Sequence, residues 1–379
     1  MAPRRDDLLE YEGCNFLRQR LLLSTLSGKP VKVKGIRNDD SEPGLREYEV
    51  NLIRLLDKLT NGTVIEVNET GTSLYYQPGL LSGGSLEHEC CKQRGIGYYL
   101  EVLMGLGPFC KNPLSIILRG VTNNEVDPSV DSFKLSGLAT LKKFLVVDDG
   151  LELKINRRGM APEGGGEVFF RCPNRKQLRP LVFLDAGKIK RIRGTAYAAR
   201  VSPAMANRII DAAKGILLKF LPDVYLYADH LKGNQSGKSP GFGVTLVAET
   251  KEGVFYTGEA ISPPVGSNKP PSVPEDLGVQ AAYRLLEEIY RGGCVDSSFQ
   301  TLAALYMALG RHDVSKYQTG PLSPYLIEFL RHMRDFFGLT FKLDYQKADE
   351  DDEDLHLGAN KVLMTCVGVG FTNLSKKVL

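Results

Sequence analysis

The sequence predicts an α/β (α+β) fold: a large domain of three βαβαββ-like repeats, with a small αβ domain inserted into it. Three observations carry this reading. One order of helical and alternating segments returns three times along the chain. Residues 184 to 262 break that order, and the proline-rich "SPPVGSNKPPSVP" follows them as a stiff linker. The expected division is residues 1–183 for repeats one and two, 184–268 for the insert, and 269–379 for repeat three.

In the first copy "NFLRQRLLLSTLSG" has helical spacing and "KPVKVKGIR" alternates as a strand. "PGLREYEVNLIRLLDKLTNG" is an amphipathic helix ending at Gly62, and "TVIEVNE" with "TSLYYQP" makes a strand pair. The second copy begins near Gly95 with helix "GYYLEVLMGLGPF". Strand "LSIILRG", helix "PSVDSFKLSGLATLKKF" and strands "LELKINRRG" and "GEVFFRCP" complete it. Gly35 precedes Pro43, and Gly120 precedes Pro128, by the same eight residues, and each proline is expected to open a helix. The third copy reads as helices "EDLGVQAAYRLLEEIYRGG" and "SFQTLAALYMALG", a short "SKYQTG", helix "SPYLIEFLRHMRDFFG", and strands "TFKLDYQ" and "KVLMTCVGV". The insert reads as strand "KIKRIRGTAYAA", helix "PAMANRIIDAAKGILLKF", and strands "DVYLYAD", "GFGVTLVAET" and "GVFYTGEAIS".

Composition bounds the function classes. At 379 residues, 42% hydrophobic and 25% charged, the chain is too apolar for disorder and long enough for a substantial core. No run of about 18 uncharged apolar residues occurs, so no membrane partner is expected, and the reading is a soluble, intracellular protein. The seven cysteines show no zinc-type spacing, so they read as packed thiols. His88 beside Cys90 lacks a second ligand pair, and neither a metal nor a cofactor is expected. The run "DEDDED" at 349–354 reads as a solvated loop. Positive charge gathers between Lys154 and Arg193, where eleven Lys or Arg face three acids, which favours a polyanionic partner.

Two glycine-bearing loops invite a phosphate. "GNQSGKS" resembles a nucleotide-binding loop, but it has three residues between its glycines where four are needed, and Pro240 blocks the following helix. It reads as a plain connecting loop. "INRRGMAPEGGGEVFF" places Arg157 and Arg158 just before Gly164, Gly165 and Gly166. Tandem glycines let backbone N–H groups approach an anion, so phosphate or sulfate binding and a structural turn both suit these residues.

The pattern "RGMAPEGGGEV", Arg158 to Val168, resembles the signature of the RNA 3'-terminal phosphate cyclase family. "LRQRLLLSTLSGKPVKVKGIR", "EPGL", "YYQPG", "LRGVTN" and "QTGP" follow in the family's order, and the resemblance covers nearly the whole chain. Active members use ATP and an adenylated histidine to convert an RNA 3'-phosphate to a 2',3'-cyclic phosphate. A neutral imidazole suits that task near pH 7. The resemblance puts that histidine four residues beyond the proline of "TGP", and Tyr325 stands there. A phenol is protonated at neutral pH and would need a base. Phe16 stands at the family's glutamine position, and Thr301 and Leu302 at its Asp-Gln pair. Arg18, Arg119 and Arg158 remain, and with Gly164 to Gly166 they form the expected anion-binding set.

Loss of the nucleophile with retention of arginines resembles the family's cyclase-like branch. That resemblance implies a non-catalytic nucleolar factor in early pre-rRNA processing for the small ribosomal subunit. Its implied partners are a ribosome-biogenesis GTPase, pre-rRNA and the proteins of the small-subunit processome. A pre-rRNA endonuclease and a residual cyclase are the alternatives. His332 lies two helical turns beyond Tyr325 and is expected on the helix surface, while Phe336 and Phe337 are expected in packing. Lys188, Lys190, Arg191 and Arg193 are expected to contact the GTPase. On an alternating strand, 191 and 193 would face opposite to 188 and 190, which suits a protein strand added along the edge.

Overall fold

A computed structural model describes residues 8–346, 358–374 and 376, so the acidic run at 349–354 lies outside the described residues. Three four-stranded sheets share one topology. In the first, the order is Leu9–Glu12, Val31–Lys34, Leu74–Gln77, Val64–Val67, with the first pair parallel and the others antiparallel. The second runs Gly83–Glu89, Asn112–Gly120, Gly166–Cys172, Glu152–Arg157 in the same sense. The third runs Val182–Phe183, Val314–Thr319, Lys361–Val367, Lys342–Gln346. Each repeat is therefore βαβαββ and opens with a strand that the sequence reading lacks. Those strands are short or rich in Gly and Glu, and they pair only across a helical crossover, so local pattern barely marks them.

The first helix of each repeat, Leu17–Ser27, Ile96–Leu106 and Gln300–Ala308, is nearly wholly buried; the last two are mostly apolar, while Leu17–Ser27 also buries Gln19, Arg20, Ser24 and Thr25. They meet at Gly105. A Cβ there would lie 2.9 Å from Leu22 Cδ1 and 3.2 Å from Leu305 Cδ2, so the close approach of the three helices needs the missing side chain. The second helices are amphipathic and carry the capping logic of their sequences. Glu47–Leu59 has Glu49 accepting from the Arg46 amide, and Pro324–Phe337 has Ser323 Oγ accepting from the Leu326 amide. The expected proline starts are not observed. The helices after Pro43 and Pro128 begin at Glu47 and Val130, the latter behind the N-cap Ser129. Val130–Ser132 then continues through a π turn, Phe133–Gly137, into Leu138–Phe144.

The insert enters the third repeat between Val182–Phe183 and Gln300–Ala308. Its sheet has the order Val224–Leu231, Ile189–Ala199, Gly241–Thr250, Phe255–Ile261. Two helices cover one face, Ala204–Leu217 and Pro274–Arg291. The second of these was expected in the third repeat, but it packs on the inserted sheet. Gly258 sits so close beneath it that a Cβ would lie 2.5 Å from the Leu285 amide nitrogen, and a Cβ on Gly278 would lie 2.4 Å from Ile209 O of the neighbouring helix. Its apolar stripe, Leu277, Ala281, Ala282 and Leu285, finds a surface there that sequence periodicity cannot identify. No helix among the described residues is long and apolar enough to cross a membrane.

Candidate functional site

Tyr325 stands in the first turn of Pro324–Phe337, where the helix meets Leu17–Ser27. Its hydroxyl accepts from Arg18 Nε at 3.2 Å and Nη2 at 3.0 Å and donates to Glu101 Oε1 at 2.9 Å. Arg18 Nη2 also pairs with Glu101 Oε2 at 2.5 Å, so three side chains from three helices close a ring. Burial, with Glu101 beside it, raises the Tyr325 pKa well above the phenol range, against the opposing pull of Arg18. The group is a protonated phenol, and the carboxylate that accepts its hydrogen bond, Glu101, is itself held by Arg18. Glu101 was missed in the sequence, yet the signal was there: it is the one acid in the otherwise apolar helix "IGYYLEVLMGL".

His332 does not lie on the helix surface. It is buried, its Nδ1 lies 3.0 Å from Gln19 Oε1, and Arg20 Nε reaches its Nε2 at 3.4 Å. With Nε2 accepting from a guanidinium, Nδ1 carries the proton and donates to Gln19. Burial and the Arg20 charge lower its pKa to about 4, against the pull of Glu328 and Asp335. The surface expectation rested on its distance from Tyr325 alone; its spacing puts it on the same face as the buried Phe329 and Phe336, which Leu17–Ser27 and Tyr11 cover. Phe336 is buried as expected and Phe337 is half-buried. Phe16 caps Leu17–Ser27 with φ 59°, an unusual conformation for an aromatic residue. Its ring lies 6.0 Å from that of Tyr325 and 6.3 Å from that of His332. Thr301 and Leu302 are both buried in the central helix.

The three arginines of the expected anion set each face carboxylates. Arg18 is held by Glu101. Arg158 is buried, pairs with Asp131 Oδ2 at 2.5 Å and Oδ1 at 3.0 Å, and donates to Asn123 Oδ1 at 3.0 Å. Arg119 is half-exposed at the sheet surface between Glu87, Glu89 and Glu167, at 2.8 to 3.2 Å. Arg18 and Arg158 belong to one chain of contacts through residues the sequence did not single out. The Tyr98 ring lies between the guanidiniums of Arg18, at 4.6 Å, and Arg94, at 4.4 Å. Arg94 is bidentate on Asp127, which ends the Asn123–Asp127 loop that also supplies Asn123 to Arg158. Arg119 is outside this chain.

The glycine loop and the "GNQSGKS" loop pack on each other. The Gly237 amide donates to Arg158 O at 2.6 Å and the Lys238 amide to Gly164 O at 2.9 Å. The Arg158 amide donates to Gln235 O at 3.3 Å and the Glu163 amide to Ser239 Oγ at 3.0 Å. Gly164 and Gly165 adopt φ of 63° and 78°, and a Cβ on Gly237 would lie 2.1 Å from Gly164 O. These glycines let two backbones touch across the seam between repeat two and the insert. Arg158 stacks across the same seam on Tyr197 at 4.2 Å. Beside it opens a largely apolar cleft of about 400 Å³, lined by Lys92, Val126, Met160, Pro162, Ile261 and Pro263 among others.

Lys190 and Arg191 are not on opposite sides of a regular strand. A bulge between Ile189 and Arg191 lets both reach Glu249, at 3.7 and 2.6 Å, while Arg193 pairs with Asp223 at 2.7 Å. From Ile192 to Ala199 both edges of the strand are already paired, which leaves only the stretch before Ile192 with one edge not paired in the sheet.

A family model for RNA 3'-terminal phosphate cyclase matches residues 9–343. The chain is 60% identical over 374 residues to a probable RNA 3'-terminal phosphate cyclase-like protein of Drosophila melanogaster, covering 98% of this chain and 97% of that one. It is 61% identical over 368 residues to the human RNA 3'-terminal phosphate cyclase-like protein, covering 97% of each. An rRNA processing protein of Schizosaccharomyces pombe is 41% identical over 374 residues, with 98% of each chain covered. With the threefold βαβαββ architecture, the interrupted third repeat and these likenesses over nearly its full length, the chain belongs to the RNA 3'-terminal phosphate cyclase family, in its cyclase-like branch.

Proposed function

We propose that the chain is a non-catalytic, cyclase-like factor for pre-rRNA processing, acting in the nucleolus on the path to the small ribosomal subunit. In this reading it works within the processome beside a ribosome-biogenesis GTPase. The observation that carries it is the closed ring of Tyr325, Arg18 and Glu101. The family resemblance expects a histidine nucleophile at this position; instead a protonated phenol has both its accepting and donating capacity engaged. The fission-yeast relative's name supports the processing role. The test has two arms. Purified chain with labelled ATP is expected to form no protein–AMP adduct and to leave an RNA 3'-phosphate uncyclised; an adduct lost in Tyr325→Phe overturns the non-catalytic reading. Depletion in the source cells is expected to raise uncleaved small-subunit precursor rRNA, and an unchanged precursor pattern overturns the processing role.

A further inference from the structure

The inserted sheet has one face covered by helices and one that is not. Ile192, Ala196, Leu226, Leu246 and Ala248 point to the helices and are buried. Side chains alternate, so Arg191, Arg193, Thr195 and Tyr197 point to the other face. Register places Tyr225 opposite Arg193, Tyr227 opposite Thr195 and Asp229 opposite Tyr197, on that same face. Its inner part is spent on the seam, where Tyr197 meets Arg158 and Glu259 accepts from Ser129 and Ser132. The outer part is open. Tyr225 is 53% exposed and Tyr227 55%, with ring centroids 4.5 Å apart and the planes at 68°.

Two large rings left in water at i and i+2 of one strand contribute little to this core. What surrounds them names an occupant. Among the described residues, the ion pairs of Lys190, Arg191 and Arg193 use two carboxylates, Glu249 and Asp223, so these cations outnumber the acids they pair with. The pairs are surface ion pairs, worth little, and a phosphate can compete for their cations. Aromatic faces take bases of any sequence, and flanking cations track the backbone. A four-stranded sheet with two helices behind and aromatics on its open face is a geometry that splays and stacks single-stranded RNA. A duplex keeps its bases stacked on each other and offers these rings nothing.

We infer that Tyr225 and Tyr227, with Arg191 and Arg193 on the adjoining strand, form a stacking platform for single-stranded RNA. The inference deepens the processing reading by giving the chain an RNA surface of its own, and it rests on that reading. The probe is a labelled oligouridylate of about ten nucleotides, with the full chain and fluorescence anisotropy at fixed salt. Tyr225→Ala with Tyr227→Ala is expected to weaken binding at least about fivefold, the loss of one weak base stack, and Tyr225→Phe with Tyr227→Phe to stay within about twofold of the parent. Arg193→Ala is expected to flatten the salt dependence, and a duplex of equal length to bind without regard to the tyrosines.

Unchanged single-strand binding in the alanine variant overturns the platform, as does an equal loss in the phenylalanine variant. Loss of GTPase capture with RNA affinity intact also overturns it and assigns the face to a protein. Both rings are over half exposed, so the variant is expected to melt with the parent. Should it unfold, photocrosslinking of bromouridine RNA to the parent decides, since crosslinks confined to other strands overturn the inference. Failure here leaves the depletion result untouched, and an unchanged precursor pattern after depletion leaves the binding result standing.

Discussion

Arg158 and Tyr197 lie 4.2 Å apart, guanidinium over ring, across the seam between the second repeat and the insert. Asp131 fixes the guanidinium from one side, so the insert is held by an aromatic contact to a buried ion pair. Removing Arg158 as Arg158→Ala leaves Asp131 charged and unpaired in the interior. A destabilisation of about 3–5 kcal/mol is expected by chemical denaturation. Proteolysis within residues 262–273, which connect the insert to its last helix, is expected to quicken.

Gly237→Ala tests the paired loops separately from the charge. The added methyl would lie 2.1 Å from Gly164 O, a backbone atom that cannot swing aside. A loss of about 1–3 kcal/mol is expected from overpacking, read as a lower midpoint in urea. Gly253→Ala has open space around its Cβ but a φ of 72°, so it serves as the control for backbone strain without a clash.

Tyr325→Phe removes one hydroxyl that serves two partners. Arg18 and Glu101 keep each other, so the cost is smaller than for a broken ion pair, about 2 kcal/mol. Thermal melting of the two proteins side by side measures it. An equal melting temperature would mean that the hydroxyl bonds contribute nothing net to stability.

The buried His332 makes stability depend on pH. Its pKa falls from 6.5 unfolded to about 4 folded, so between those values the unfolded chain binds more protons. This contribution is fully present above pH 6.5 and is lost as pH falls toward 4, by about 3 kcal/mol at the end of the window. His332→Gln, which cannot be protonated, is expected to reduce the slope of that limb in denaturation series between pH 7 and 4, the buried His88, whose pKa burial also lowers to about 4, keeping the remainder.

Much of this molecule was determined by local sequence. Periodic apolar spacing gave the helices of all three repeats, and Gly28, Ser323 and Pro324 marked ends that the structure keeps. The insert's strands read correctly from alternation. Tertiary structure decided what depends on partners distant in the chain. The opening strands Leu9–Glu12, Gly83–Glu89 and Val182–Phe183 exist because a parallel neighbour completes their hydrogen bonds. Helix Pro274–Arg291 has an apolar stripe that would fit either domain, and only packing on Gly258 assigns it. The "GGG" loop read as a candidate anion loop and "GNQSGKS" as a plain connection, yet each gives the other the close backbone contact its glycines permit. His332 and Tyr325 sit two turns apart on one helix, and spacing alone says nothing of Arg20, Gln19, Arg18 and Glu101. Those four side chains arrive from other helices; burial among them, with Arg20 beside the imidazole and Glu101 beside the phenol, keeps the imidazole neutral and the phenol protonated against the pull of Arg18.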